Sequence, residues 1–189
     1  MSRAPPPRTT STWQVEDEWA AELLTVETRY AALRQPLQKE RSDVTGRIPG
    51  FWANVFASDV LVSPLITPSD AAVLAHVTHF EVETMAGLDF AFMLRLEDGN
   101  PFCDGPMRKE FRTGKEGHTT ATSSIAWRRD TPQGREATAT FVSGALTFFS
   151  WFSGAQTFAV GHRDGLAEHL VEVYRNPLLQ LLPRGTSKP

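Results

Sequence analysis

Residues 80–101, FEVETMAGLDFAFMLRLEDGNP, decide the fold of this chain. In the two runs on either side of Gly87, apolar side chains occupy every second position, and the positions between them are largely polar. The apolar positions are Phe80, Val82, Phe90, Phe92, Leu94 and Leu96. A period of two is typical of a β-strand with one buried face, and Gly87 supplies the turn. The stretch therefore predicts an antiparallel hairpin whose even-numbered side chains face the core.

The sequence around this hairpin predicts the rest of an α+β domain. A third strand is predicted at Met107–Thr113, with Phe111 inward, and a short fourth strand at Ile125–Trp127. Residues 128–144 are predicted as a loop. The predicted helices are Phe51–Ser58, Thr67–Val77, Leu146–Phe152 and Arg163–Tyr174. Together these elements predict a four-stranded antiparallel sheet with helices on one face. The side chains expected to complete its core are Phe51, Trp52, Trp151 and Phe152.

The segment before this domain carries an apolar heptad pattern. From Trp13 to about Thr45, apolar residues recur with steps of 4, 4, 3, 4, 3 and 4. The positions are Val15, Trp19, Leu23, Val26, Tyr30, Leu33 and Leu37. This spacing predicts a long helix with one apolar seam, bent near Pro36 because proline removes a backbone hydrogen bond. The pattern fits a helix that packs on its own domain and a helix that forms a dimerising coiled coil equally well.

Composition narrows the class of protein. Of the 189 residues, 41% are hydrophobic and 22% are charged, which is typical of a globular chain. The single cysteine, Cys103, excludes a disulfide framework, and a net charge of −3 excludes a strongly basic nucleic-acid binder. Residues 137–161 lack charge and could span a bilayer by length, but eight Ser, Thr or Gln residues among them favour a soluble segment. The Pro-rich residues 1–12 are expected to form a disordered tail.

Charge is distributed unevenly along the chain. Residues 59–104 contain eight acidic residues against Arg95 alone, a local net charge of −7. The acidic residues are Asp59, Asp70, Glu81, Glu83, Asp89, Glu97, Asp98 and Asp104. Such an excess attracts a basic partner through its field, or it forms a solvated surface that keeps the protein soluble.

Patterns that would indicate catalysis or a metal centre are missing from the sequence. His76 and His79 are three residues apart but have no third ligand nearby in sequence, and Cys103 has no adjacent base. The chain contains neither G-x-x-x-x-G-K-[ST] nor G-x-G-x-x-G. We therefore expect a non-enzymatic protein without cofactor or metal.

Short motifs in a fixed order carry a resemblance to a known family. Residues 22–36 (ELLTVETRYAALRQP) resemble the dimerising helix of SET-type proteins, the template-activating factors of the nucleosome assembly protein family. The other matching motifs are IPGFWANVF at 48–56, NPF at 100–102, KEF at 109–111, SIAW at 124–127, FFSWF at 148–152 and NPL at 176–178. The testis-specific Y-encoded-like branch of the family is also similar.

The resemblance implies a homodimer, with a heterodimer with a related protein left open. Its dimerisation helix would span 13–46, its α/β "earmuff" domain 47–183, and a short tail 184–189. The dimer contacts would be made by Trp19, Leu23, Val26, Tyr30, Leu33 and Leu37. The implied partners are core histones, and neither sequence-specific nucleic-acid binding nor a membrane is implied. The implied localisation is nuclear, and an additional cytoplasmic localisation is left open.

The acidic middle of the chain supplies the candidate histone-binding residues. These are Glu81, Glu83, Asp89, Glu97, Asp98 and Asp104. In a competing account, Arg95, Arg108 and Arg112 lie on the same face of the sheet and neutralise these acids as cross-strand pairs. The low net charge of −3 and an end at Lys188-Pro189, in place of the acidic stretch typical of the family, leave an alternative open. This alternative is a diverged paralogue that acts as a structural or regulatory dimer with weak or no histone binding.

Overall fold

The computed structural model describes residues 12–85, 89–113, 119–143, 146–154, 159–160 and 163–182. The chain divides into two compact units, Met1–Lys39 and Glu40–Pro189. The tails predicted at 1–12 and 184–189 lie outside the described residues except for Thr12, and so does the turn predicted at Gly87.

The first unit is formed by most of helix α1, Thr12–Thr45, which continues through Pro36. All seven predicted seam residues are between 42% and 67% exposed in the single chain. The side chains are Val15, Trp19, Leu23, Val26, Tyr30, Leu33 and Leu37. The helix therefore presents a continuous apolar seam to the solvent, which is unusual for a chain that functions alone.

The second unit contains a four-stranded antiparallel sheet and its flanking helices. The elements are α2 (Phe51–Ser58), a 3-10 turn (Ser63–Leu65), α3 (Pro68–Leu74), β1 (Val77–Thr84), β2 (Phe90–Leu96), β3 (Met107–Thr113), β4 (Thr119–Ser124), α4 (Pro132–Ser143), α5 (Phe148–Ser153), β5 (Ala159–Val160), β6 (Arg163–Asp164), α6 (Gly165–Arg175) and α7 (Leu178–Leu181). The strand order of the large sheet is β1-β2-β3-β4, and β5 and β6 pair separately. This arrangement confirms the predicted α+β class.

The predicted register of the hairpin is confirmed. Phe80 pairs with Leu94 and Val82 with Phe92 across β1 and β2. Phe80, Phe92 and Leu94 are at most 1% exposed, whereas Val82, Phe90 and Leu96 are partly buried against the same core. A one-residue slip would have turned all six side chains to the other face.

Aromatic side chains from the helices cover the inner face of the sheet, as predicted. The ring centroids of Trp52 and Phe80 are 5.3 Å apart in an edge-to-face contact. Those of Phe92 and Trp151 are 6.2 Å apart. Phe111 is 1% exposed and stacks on Trp151 at 6.1 Å, which confirms its inward direction. Such pairs add about 0.5–1.5 kcal/mol each beyond the burial of their area.

The predicted fourth strand at Ile125–Trp127 was wrong. Strand β4 is Thr119–Ser124, and it pairs with β3 from Thr113↔Thr119 to Arg108↔Ser124. Its residues are Ser, Thr and Ala, so it lacks the apolar run on which the prediction depended. Trp127 forms an isolated bridge with Cys103 instead.

The predicted loop at 128–144 was also wrong, because Pro132–Ser143 forms helix α4. The Thr131 hydroxyl accepts the Gly134 N–H at 3.1 Å, and Pro132 follows this cap as the first helical residue. Gly134 is required there, since a Cβ at that position would lie 2.1 Å from the Arg128 carbonyl oxygen. Pro132 and Gly134, residue types typical of loops, therefore lie in the first turn of a helix.

Two buried polar residues fix both ends of α5. At its N-terminus, Asp70 Oδ1 accepts the Thr147 hydroxyl at 3.0 Å and the Phe149 N–H at 2.8 Å. At its C-terminus, the fully buried Lys109 ammonium donates to the carbonyls of Trp151 at 2.5 Å and Gly154 at 2.6 Å. A carboxylate at the N-terminus and a cation at the C-terminus both match the helix dipole.

Candidate interaction surface

The outer face of the sheet carries the first group of predicted acidic residues. Glu81 and Glu83 lie opposite Met93 and Ala91 on the odd-numbered face of the hairpin. Glu81 accepts the Ser42 hydroxyl at 3.2 Å and lies 3.5 Å from Arg95 Nη2. The negative charge of Glu81 is therefore partly neutralised by Arg95 of the same chain.

Arg108 of β3 forms the centre of an ion-pair network on this face. It hydrogen bonds Glu83 on β1, and its Nε donates to Glu110 Oε1 at 2.9 Å. Arg112 Nη2 lies 3.1 Å from the other oxygen of Glu110. These hydrogen bonds raise the pKa of Arg108 and lower the pKa of the Glu110 carboxyl.

Ala91 explains how Arg108 can reach across the sheet. Ala91 pairs with Glu83 on one side and with Glu110 on the other, and it has no exposed surface although it lies on the outer face. A methyl group leaves room for the arginine side chain to cover β2 between its two carboxylate partners. The outer face therefore neutralises much of its own charge through these ion pairs.

The second group of acidic residues lies at the turn after β2. Asp98 is exposed and forms no ion pair among the described residues. His76 Nδ1 lies 2.6 Å from Glu97 Oε1, and the Asp104 side chain is 71% exposed, 3.6 Å from Arg128 Nη1. Arg128 also contacts Asp130 at 2.7 Å, and this hydrogen bond lowers the pKa of the Asp130 carboxyl.

These turn residues border a polar cleft of about 390 Å³, which we call the turn cleft. Its charged lining residues are Arg95, Glu97, Asp98, Asp104 and Arg128. The cleft therefore contains three carboxylates and two guanidinium groups, and it is open to a cationic side chain at Asp98.

Asp89 is far from the turn group and lies beside the face group. It precedes β2, whereas Glu97 follows it, and eight residues of extended chain separate them by about 27 Å. The backbone carbonyl of Asp89 accepts the Met85 N–H at 2.9 Å. Asp89 precedes by two residues Ala91, the partner of Glu83, so the six predicted residues form a face group that Asp89 borders and a separate turn group. Their role in binding stays a prediction.

Sequence counting overestimated the acidic surface. Asp59 and Asp70 are both 0% exposed. Asp59 accepts the N–H groups of Leu61 and Val62 at 2.9 and 3.0 Å, and His169 Nε2 lies 2.8 Å from its other oxygen. Both carboxylates therefore stabilise the fold, and six of the eight acidic residues of 59–104 remain at the surface. The Thr67-Pro68 capping pattern was a signal for Asp70, since a carboxylate at its third position completes a capping box.

The residues considered for catalysis are held in structural contacts. Cys103 is 2% exposed, and burial together with Asp104 raises the pKa of its thiol to about 11. His79 packs where a side chain of Gly46 would lie, with Nε2 2.4 Å from the position of a Cβ. In the described ranges, no three His, Cys, Asp or Glu side chains lie close enough to hold a metal ion.

The uncharged stretch 137–161 belongs in its described parts to α4, α5 and β5. Within the part of the chain that the structure describes, no helix is both long and apolar enough to cross a membrane.

Comparison with known proteins gives consistent relatives, although no protein-family model matches the chain. The chain is 27% identical over 175 residues to NAP1-related protein 2 of Oryza sativa subsp. indica, covering 87% of the chain and 69% of that protein. It is 26% identical over 176 residues to Protein SETSIP of Homo sapiens, covering 87% of the chain and 58% of SETSIP. The chain thus spans about three fifths to two thirds of the length of the curated relatives it matches.

The fold is also found among solved structures. The crystal structure of the Vps75 histone chaperone matches with a TM-score of 0.65 and 22% identity, covering 88% of this chain and 91% of that one. These comparisons confirm the resemblance carried by the motifs. The chain is similar in sequence to NAP1-related protein 2 and to Protein SETSIP, and it shares the α+β fold of the Vps75 histone chaperone.

Proposed function

We propose that the chain is a non-catalytic, histone-binding dimer that shields histone charge during nucleosome assembly in the nucleus. The observation that carries this proposal is the match over 87% of the chain to nucleosome assembly relatives. The exposed turn acids support it: Asp98 forms no ion pair among the described residues, and Asp104 is 71% exposed although it lies 3.6 Å from Arg128. Since histones bind DNA through many phosphate contacts, a competing carboxylate surface would prevent nonspecific association without any chemistry.

Dimerisation through the α1 seam is the second part of the proposal. The six predicted contact residues are 42% to 67% exposed in the single chain, so the area that a partner helix would cover is available. They are Trp19, Leu23, Val26, Tyr30, Leu33 and Leu37. A second copy offers a complementary seam with the same heptad spacing, and homodimers with two-fold symmetry are the commonest oligomers.

A second candidate function is supported by the ion pairs of the outer face. Glu81, Glu83 and Glu110 are partly neutralised by Arg95, Arg108 and Arg112. A diverged paralogue could retain the dimer seam, bind histones weakly or not at all, and regulate a related protein by forming mixed dimers.

Affinity for purified core histones, measured over a salt series, tests the proposal. Asp98→Asn combined with Asp104→Asn should weaken binding and reduce its salt dependence, because exposed charges are screened over about 8–10 Å near physiological ionic strength. The matched control is Glu40→Gln combined with Asp43→Asn, which removes the same charge from exposed positions on α1. Equal behaviour of the two variants would show that the turn acids only solubilise the protein. A wild type that binds no histone at low salt would favour the regulatory dimer.

A further inference from the structure

A second cavity lies between α3 and α4, and we call it the α3–α4 groove. Its volume is about 270 Å³. The lining includes Ala72, Val73, Phe102, Ala137, Thr140 and Phe141. Val73, Phe102, Ala137 and Phe141 are each at most 8% exposed and form an apolar floor. A cavity below the roughly 300–1,000 Å³ of small-molecule sites fits one large apolar side chain better than a cofactor.

The α3–α4 groove and the turn cleft share one rigid segment of the chain. Phe102 lines the groove and the next residue, Cys103, lines the cleft. Asn100 Oδ1 accepts both of their backbone N–H groups at 3.0 Å, and its Nδ2 donates to the Glu97 carbonyl at 3.0 Å. The Thr131 hydroxyl donates to the Pro101 carbonyl at 2.5 Å. The two cavities are thus adjacent and held in place before any partner binds, which lowers the entropic cost of binding.

The charges around the two cavities favour a basic occupant. Glu136 lines the groove, and both Glu136 and Asp98 are exposed without an ion pair among the described residues. The neighbouring Arg135 guanidinium donates to the Arg129 carbonyl at 2.9 Å. Arg128 is occupied by Asp130 and Asp104. Arg95 also lines the cleft, 3.5 Å from Glu81, so the linings of the two cavities contain the four carboxylates of Glu97, Asp98, Asp104 and Glu136 against two guanidinium groups, an excess of two negative charges.

We propose that the α3–α4 groove and the turn cleft together bind one basic protein segment. An apolar side chain of that segment enters the groove, and a neighbouring Lys or Arg enters the cleft beside Asp98. This inference rests on the proposed function, because core histones are the basic partner in which such a segment is sought. It assigns to the groove a salt-independent part of the affinity that acidic residues alone cannot supply.

Two neighbouring alanines on α3 allow a matched test with purified core histones. Ala71 and Ala72 are both exposed, but only Ala72 lines the groove. Ala72→Trp should weaken histone binding about tenfold to a hundredfold, the worth of one buried apolar side chain, with an unchanged salt slope. Ala71→Trp should remain within about twofold of the wild type. Asp98→Asn should reduce the salt slope instead.

The outcomes separate this inference from the proposed function. If the wild type binds histones and Ala72→Trp binds as tightly as Ala71→Trp, the groove proposal is overturned and histone binding stands. If the wild type binds no histone at any salt concentration, both fail. If Ala72→Trp does not fold, amide hydrogen exchange of the wild type, measured with and without histones, tests the groove proposal instead. The amides of 69–74 and 133–141 should gain protection when histones bind, and unchanged exchange there would also overturn the groove proposal.

Discussion

The apolar seam of α1 predicts a dimer, and replacing two of its leucines with aspartate should dissociate that dimer. Leu23 and Leu33 are 42% and 58% exposed in the single chain, so about half of each side chain remains for a partner to bury. Complete burial of a leucine contributes about 1.5–3 kcal/mol, and half of that for four leucines in a dimer gives about 3–6 kcal/mol. Leu23→Asp with Leu33→Asp should therefore raise the Kd of the dimer by about a hundredfold to ten-thousandfold, before the cost of burying carboxylates is counted.

Sedimentation velocity across a concentration series measures this change directly. Thr25→Asp with Gln35→Asp is the matched control, because both positions are exposed and lie two residues from the substituted leucines, off the seam. The control should sediment as a dimer, and the seam variant should sediment as a monomer or aggregate. A monomeric wild type at micromolar concentration, or a seam variant that dimerises like its control, would refute the reasoning.

Three further predictions concern the second unit. Phe92→Ala should lower the free energy of unfolding by about 3–5 kcal/mol, measured by urea denaturation, because Phe92 is fully buried among aromatic rings. Arg108→Gln should let the pKa of the Glu110 carboxyl rise toward its ordinary value in an NMR titration, since Arg108 is the main cause of its lowering. The Cys103 thiol, with its pKa raised to about 11, should react slowly with a disulfide reagent at pH 8 until the protein unfolds. Fast labelling of the native protein would contradict its burial.

The hairpin could be predicted from the sequence because apolar side chains occupy its buried face and largely polar side chains occupy the other face. Phe80 and Phe92 alternate with polar residues, and both are buried. Strand β4 could not be predicted in this way, since its Ser, Thr and Ala side chains do not distinguish a buried from an exposed face. Its position is set by its antiparallel pairing with β3, from Thr113↔Thr119 to Arg108↔Ser124. Patterns of period two therefore identify strands that bury apolar side chains and miss polar edge strands.

Helix α4 was missed for a different reason. Its start repeats the signal that located α3, a threonine cap followed by proline, at Thr131-Pro132 as at Thr67-Pro68. Gly134 favours a loop in the sequence, because glycine is a weak helix former. In the structure, its lack of a side chain is needed for close packing against Arg128. The chemistry of helix caps was therefore a better guide to this segment than the presence of glycine.

Charge counting located the acidic region but could not distinguish buried, paired and available carboxylates. Asp70 and Asp59 stabilise helix ends and loops, and Glu83 is bound by Arg108 from a strand that lies 25 residues further along the chain. The predicted alternation places Arg95, Arg108 and Arg112 on the same face as the acidic side chains of the hairpin, but which acid each arginine binds depends on the register of three strands. The acidic residues counted from the sequence nonetheless include Asp98 and Asp104, which are exposed at the turn.

The network on the outer face has a consequence for where a basic partner would bind. A lysine or arginine approaching Glu83 must compete with Arg108, which is attached to the same domain and therefore has a high effective concentration. Asp98 forms no ion pair among the described residues, although Arg95 and Arg128 line the same cleft. A carboxylate at the turn should therefore contribute more to the affinity for a basic partner than a carboxylate on the strands. If histones bind this protein, the arginines of β3 direct them toward the Asn100–Cys103 segment, where the turn cleft and the α3–α4 groove lie side by side.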